Sequence, residues 1–235
     1  MNNLNIPNHI AVIMDGNARW ARRKFLPINF GHKAGLKALE TFIKSSLEFK
    51  IKYLTIYAFS TENWQRPQEE VGYLMKLLEK YLQKDVNKLI KNGVRIFVVG
   101  DLTNISATIK NKIAEIEKLT ANNEALILNV AFDYGSRQEI VSAMKKIVLD
   151  IKNKKITFDE LDQSSISNNL YNPQIPDPDL LIRTAGEFRL SNFLLWQMAY
   201  TEFYFTKKLW PDFDKEDLYK AILEFNKRER RYGKR

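Results

Sequence analysis

Asp15 is the first residue that invites a chemical reading. It follows the apolar run Ile10–Met14 and precedes Gly16 and Asn17, then Ala18, Arg19, Trp20, Arg22, Arg23 and Lys24. Asp-Gly-Asn after a strand is also an ordinary turn, because Gly and Asn tolerate positive φ. A turn does not need the arginines. A diphosphate at a helix N-terminus asks for backbone N–H groups, guanidinium forks and usually a divalent cation. In that setting Asp15 reads as a Mg²⁺ ligand, since Mg²⁺ is commonly bound by one or two carboxylates together with phosphate oxygens.

Two other segments have the same character. Phe59–Pro67 puts Ser60, Thr61, Glu62, Asn63, Trp64 and Arg66 close together, so an acid, an amide, an aromatic wall and a cation fall within five residues. The segment reads either as a capping loop or as part of a site. Ile182–Asn192 carries Arg183, Arg189 and Ser191 immediately before the apolar stretch NFLLWQMAY, read as a helix. Two guanidiniums and a hydroxyl there form a solvated loop or a second anion pocket. His32, before a further helix, is either satisfied near a cap or a proton or phosphate partner. Glu202 reads as the partner of a nearby arginine or as a second metal ligand.

These residues need elements to position them. Apolar runs of strand type lie at 10–14, 53–59, 94–100, 126–132 and 180–183, with helical periodicity at 33–49 and 69–92 between them. Strand and helix alternate, and the strands are nearly continuous apolar runs. That combination predicts an α/β fold, a mostly parallel central sheet covered by helices. Polar clusters follow each strand: Asp15-Gly16-Asn17, Ser60–Asn63, Gly100-Asp101, Asp133–Gly135 and Arg183-Thr184. Ligands of open α/β sheets bind at the carboxyl ends of the strands, so these clusters are expected to converge on one rim. The 69–92 helix is apolar over a wide arc that includes Leu74, Leu77 and Leu78, which suits core packing or an apolar channel for a hydrocarbon.

The bulk properties narrow the class. The 235 residues fit one domain spanning 1–235, and a chain 45% hydrophobic is too apolar to be disordered. With no cysteine, thiolate metal sites, disulfides and cysteine nucleophiles are excluded. The N-terminal segment lacks the pattern of a secretion signal, and the most apolar stretch is too short and too interrupted to span a bilayer; the expected location is the cytoplasm. The formal charge of +9 draws anionic partners without choosing among them. An RNA-binding module is disfavoured because no known recognition motif is present, so no nucleic-acid partner is expected. An aspartyl-phosphate phosphotransferase wants a second aspartate two residues after Asp15, where Asn17 stands. The basic tail NKRERRYGKR reads as a charged helix end or as a contact for a partner subunit or anionic lipid.

Five segments in order, HIAVIMDGNARWA, FGHKAG, YAFSTENWQRP, IRTAGEFRLSNFLLWQ and TEFYFTKKLWPDF, resemble the signature segments of the cis-prenyltransferases. The resemblance runs from about His9 to the RERRYG end. It implies Mg²⁺-dependent condensation of isopentenyl diphosphate onto an allylic starter, usually farnesyl diphosphate, by a homodimer with an apolar tunnel and peripheral membrane contact through its product. By motif match, Asp15 is the Mg²⁺-linked carboxylate, and Gly16, Asn17, Ala18, Arg19, Trp20 and His32 cradle the allylic diphosphate. Ser60, Thr61, Glu62, Trp64 and Arg66 match substrate-binding positions, and Asn63 matches the proton acceptor. Arg183, Arg189, Leu190 and Ser191 match the isopentenyl diphosphate pocket, Glu202 the second Mg²⁺ carboxylate, and Leu74, Leu77, Leu78 and Leu126 the tunnel wall. Two positions depart from the pattern. Ile28 stands where an arginine is common, so that one phosphate contact is either missing or supplied by Arg22, Arg23 or Lys24, and Phe188 stands where many relatives have a histidine.

Overall fold

The computed structural model describes residues 4–228, apart from the side chains of Lys84 and Asp85. Residues 229–235, most of the basic tail read above, lie outside the described residues.

Six parallel strands form one sheet: β1 His9–Ile13, β2 Tyr53–Ser60, β3 Val94–Val99, β4 Leu126–Tyr134, β5 Leu180–Arg183 and β6 Glu202–Phe205. Their order is β3-β4-β2-β1-β5-β6, so β2, β3 and β4 are laid down on one side of β1 before the chain crosses to β5 and β6 on the other. All five residues of β1 and all four of β5 are buried, as expected of central strands covered on both faces. In register, Ile13 of β1 lies beside Tyr57 of β2 and Arg183 of β5. The winding reverses at β1, and the crevice at its carboxyl end is where such sheets place a ligand.

Eight α-helices surround the sheet among the described residues: α1 Asn17–Arg23, α2 Ile28–Glu48, α3 Gln68–Lys80, α4 Val86–Lys91, α5 Ala107–Leu119, α6 Ser136–Lys152, α7 Gln163–Ser167 and α8 Lys215–Asn226. The larger core joins Ile10, Val12, Leu54 and Ile56 to Phe42 and Ile43 of α2, Ile113 of α5 and Ile222 of α8. Phe42, Trp210 and Phe213 pack ring to ring, and the Trp210 indole donates to the Gly35 carbonyl (2.9 Å), locking α2 against the sheet. A smaller core on the other face contains Ala11, Leu181, Phe193 and Met198.

The five expected strands are present, and three features differ from expectation. The 69–92 segment is helical as expected but not regular: a π turn at Tyr81–Asp85 joins α3 to α4 without a break. The stretch after Ser191 is a run of turns, because Ser191, Asn192 and Leu194 take φ of 49°, 60° and 45°, which a right-handed helix excludes. Beyond those turns lies the sixth strand, Glu202–Phe205, paired to β5.

Candidate active site

The carboxyl ends of β1, β2 and β5 frame a pocket of about 620 Å³. Asp15, Asn17 and His32 line one side, Ser60, Glu62, Asn63 and Arg66 a second, and Arg183, Arg189 and Ser191 a third. Three segments far apart in sequence therefore meet on one rim. The clusters after β3 and β4 do not join them. Gly100 and Asp101 face a separate pocket, and the Asp133 carboxylate accepts from the Trp64 indole (2.7 Å). Burial pushes the Asp133 carboxyl above the usual range.

Asp15 is held by its backbone, so its carboxylate is left to the pocket. Its N–H donates to Thr184 Oγ1 (2.9 Å), and the Thr184 hydroxyl donates in turn to the Asp15 carbonyl (2.7 Å). Arg183 Nη2 donates to Asp15 Oδ2 (3.1 Å), and Arg19 stands 3.6 Å from Oδ1. Arg183 is 3% exposed, and its Nη1 donates to Ser191 Oγ (2.8 Å) and to the Arg189 carbonyl. One buried guanidinium thus ties the Asp15 side of the pocket to the Ser191 side. Arg19 also reaches Glu187 (3.0 Å) and the Ala185 carbonyl (2.9 Å), and Glu187 pairs with Arg189. Gly16, at φ 109°, turns the chain into α1. Asn17 beside it is half-buried; its Oδ1 is turned inward against Gly35 of α2 and has no hydrogen-bond partner among the described residues.

The second wall is built by a short 3₁₀ turn, Thr61–Gln65. Asn63 Oδ1 accepts from the Ser60 N–H (3.1 Å), so the side chain assigned to proton transfer also caps the turn that carries it. Glu62 accepts from Asn192 Nδ2 (2.9 Å). Burial pushes its carboxyl up, but hydrogen bonds from Asn192, Ser60 and Thr61 outweigh it, leaving Glu62 below the usual range. Glu70 bridges His32 Nε2 (3.1 Å) and Arg66 Nη1 (2.9 Å). Burial holds the imidazole below its ordinary pKa despite this carboxylate.

Beneath the polar pocket lies an apolar cavity of about 160 Å³, walled by α2, α3 and the sheet and including Leu74, Leu77 and Leu78. Leu74 and Ala58 line both spaces, so the polar pocket continues into the apolar one.

Several expected residues lie elsewhere. Glu202 opens β6 beside Leu180, at the amino end of the strands, and pairs with Arg228 (2.9 Å). Three residues of strand separate that level from Arg183, about 10 Å, so Glu202 and Asp15 do not share a metal site within one chain. Leu126 is wholly buried opposite Val94 and does not line the cavity. Arg22, Arg23 and Lys24 are exposed away from the pocket, with Lys24 stacked over Trp20 (4.2 Å), so they do not replace the arginine missing at Ile28. The Trp20 indole donates to Asp212 (2.6 Å). Trp20, Trp64, Thr61, Ala18 and Leu190 support the walls without lining the pocket. Phe188 is exposed and packs on Phe205. Sequence reasoning missed Glu70, Tyr57 and Asn192. The spacing from Arg66 to Glu70, one helical turn, was the available signal for the first. Tyr57 and Asn192 carried none, since sheet register brings Tyr57 to the rim and the left-handed turn after Leu190 brings Asn192 there.

A guanidinium-rich pocket opening into an apolar cavity is the shape of a site for an anionic head on a hydrocarbon tail. Residues 13–233 match the family described as putative undecaprenyl diphosphate synthase. The isoprenyl transferase of Fusobacterium nucleatum is 50% identical over 229 residues, 97% of this chain and 96% of that protein. The isoprenyl transferase of Streptococcus mutans is 50% identical, across 97% and 93% of the two chains. Among solved structures, lavandulyl diphosphate synthase from Lavandula x intermedia, in complex with dimethylallyl diphosphate, superposes with a TM-score of 0.94 at 36% identity, covering 97% of this chain and 99% of that one. A probable undecaprenyl diphosphate synthase from Campylobacter jejuni gives 0.80 at 37% identity over both full chains. The fold is that of a prenyltransferase. The chain belongs to the undecaprenyl diphosphate synthase family.

Proposed function

We propose that the protein is a Mg²⁺-dependent cis-prenyltransferase that adds isopentenyl diphosphate units to farnesyl diphosphate, giving a long polyprenyl diphosphate, undecaprenyl diphosphate, for the cell-wall carrier lipid. The observation that carries this reading is the continuity of the polar pocket with the apolar cavity through Leu74 and Ala58. An allylic diphosphate placed across that junction keeps its charge among arginines and its tail among leucines.

Mg²⁺ fits the donor set. Asp15 supplies a carboxylate that lines the pocket, and no trio of acidic or histidine side chains among the described residues forms a self-sufficient cage. An ion held by one carboxylate and completed by diphosphate oxygens and water is the ordinary Mg²⁺ arrangement. When bound, it supplies positive charge to offset the negative charge that develops on the departing diphosphate.

The chain's own residues do the rest. Gly16, Asn17 and Arg19, with His32 and Arg66, receive the allylic diphosphate. Arg183, Arg189 and Ser191, with Leu190 behind them, receive isopentenyl diphosphate, whose double bond attacks the allylic carbon as the carbon–oxygen bond to diphosphate breaks. Burial of Arg183 strengthens its interaction with both anions by excluding water. The proton lost in forming the new double bond leaves beside Asn63. Growth then threads the chain between α2, α3 and the sheet.

We propose further that two copies associate through α6. Val141, Met144 and Val148 recur on one exposed helical face, and Leu149, Leu195 and Tyr200 are also exposed. No helix among the described residues is long and apolar enough to cross a membrane. The working location is the cytoplasm, with peripheral contact at the inner membrane face where a lipid product is delivered.

Incubation with farnesyl diphosphate, labelled isopentenyl diphosphate and Mg²⁺, followed by chain-length analysis of the dephosphorylated products, tests this function. An eleven-isoprene product is expected; no incorporation overturns the proposal.

A further inference from the structure

The connection between α1 and α2 presents an apolar tip inside a basic collar. Phe25 is 96% exposed, and Leu26 and Phe30 are also exposed. Residues 18–33 contain five lysines and arginines and no aspartate or glutamate. Arg19 is engaged with Asp15 and Glu187, but Arg22, Arg23, Lys24 and Lys33 make no ion pair among the described residues and are all exposed. Among the described residues, the only acidic group bonded to this stretch from outside it, apart from the partners of Arg19 and His32, is Asp212, which accepts from the Trp20 indole.

Phe25 is also costly to hold in place. Its φ is 56°, in the left-handed region that bulky side chains rarely enter. Backbone hydrogen bonds fix that conformation: Phe25 N–H donates to the Arg22 carbonyl (3.1 Å) and Leu26 N–H to the Ala21 carbonyl (2.9 Å). The same left-handed cap, with the same pair of hydrogen bonds, ends α2 at Lys50 and α6 at Lys154, where a lysine occupies it. At the end of α1 the position holds an aromatic side chain that stands in solvent and gains nothing from packing.

From this juxtaposition we infer that the α1–α2 connection is a docking surface for an anionic bilayer, with Phe25, Leu26 and Phe30 entering the interface and Arg22, Arg23, Lys24 and Lys33 facing the lipid headgroups. Charge selects that occupant: four unpaired cations around a few apolar side chains match anionic headgroups above acyl chains. Size argues against a protein partner. A stable protein interface needs about 800 Å² from each side, more than a six-residue tip supplies. The exposed face of α6 differs in kind, being a helical stripe suited to another helix. The patch is built on the two helices that frame the site, since α1 carries Asn17 and α2 carries His32, Leu36 and Leu39. The choice of a bilayer rests in part on the polyprenyl reading, so the test is scored without turnover.

Purified full-length protein is co-sedimented with vesicles of phosphatidylglycerol and phosphatidylcholine, and with vesicles of phosphatidylcholine alone. The discriminating variant is Phe25→Gly, because glycine accepts the positive φ and the variant keeps its fold. Wild-type protein is expected to partition at least about tenfold more strongly onto the anionic vesicles, with binding weakening as salt is raised. Phe25→Gly is expected to lose about tenfold of that partitioning while its melting temperature holds or rises and its turnover in detergent is unchanged. Equal binding of the two vesicle types, absence of vesicle binding, or undiminished binding by Phe25→Gly overturns the inference. A failed condensation assay alongside normal vesicle binding overturns the proposed function and leaves the docking surface standing.

Discussion

Gly31→Ala and Gly72→Ala place the same methyl group on two helices with opposite expected results. A Cβ at Gly72, on exposed α3, meets nothing within 4 Å. Replacing glycine in such a helix interior stabilises by roughly 0.5–1 kcal/mol, because the unfolded chain loses freedom. A Cβ at Gly31 lies 2.8 Å from the Asn17 carbonyl carbon and closer still to its oxygen. Ordinary carbon contacts begin near 3.5 Å, so α1 must withdraw by about 1 Å. Overpacking of that kind costs about 1–3 kcal/mol, which after the propensity gain leaves a net loss of about 1–2 kcal/mol. For a chain of this size the melting temperature falls by roughly 2–8 °C. The functional cost is larger. The displaced peptide carries Asn17 into the pocket, and a 1 Å misplacement of site groups costs on the order of 100-fold in kcat/KM. Thermal unfolding and steady-state condensation kinetics measure both quantities. If Gly31→Ala proves as stable and as active as Gly72→Ala, the close packing of α1 on α2 does not position the diphosphate site.

Two other predictions concern charge and assembly. His9 is buried, with Nδ1 donating to the Pro176 carbonyl (2.6 Å) and Nε2 accepting from the Thr55 hydroxyl (2.8 Å), and burial lowers its pKa from 6.5 to about 4. The unfolded chain therefore binds the extra proton first, so this contribution is intact above pH 6.5 and is lost progressively as the pH falls towards 4, amounting to about 3 kcal/mol. Urea unfolding of wild type and His9→Gln across that range should show a steeper acid loss in the wild type; parallel pH profiles refute the assignment. Met144→Glu with Val148→Glu puts two charges on the exposed stripe of α6 and should halve the mass seen by sedimentation equilibrium, whereas an unchanged mass removes α6 from the subunit contact.

The five strands were legible in the sequence because each is an almost unbroken apolar run, and the residues after three of them do meet at the rim. What escaped was set by backbone conformation and register. Nothing in NFLLWQMAY announces positive φ at a serine, an asparagine and a leucine, so a run of turns looked like a helix and hid β6 behind it. That error also misplaced Glu202: sequence order puts it just after the arginine segment, but parallel pairing carries it back to the amino end of β5. The cations after Arg19 were read by proximity in sequence, whereas helical rotation points Arg22, Arg23 and Lys24 away from the pocket that Asn17 enters. Spacing could tie Glu70 to Arg66, but its bond to His32 belongs to a contact between α3 and α2 that spacing does not reveal.

The central claim is that Asp15 serves the chemistry of prenyl transfer rather than the fold. Its carboxylate is part-exposed, and Arg183 retains Ser191 and the Arg189 carbonyl without it, so Asp15→Ala should fold and melt cooperatively. The decisive measurement is Mg²⁺-dependent incorporation of labelled isopentenyl diphosphate onto farnesyl diphosphate by wild type and by Asp15→Ala. The account predicts turnover in the wild type that chelation abolishes and added Mg²⁺ restores, and a fall of about 10³-fold or more in the folded variant. Wild-type rates from Asp15→Ala, or turnover indifferent to chelation, would contradict it.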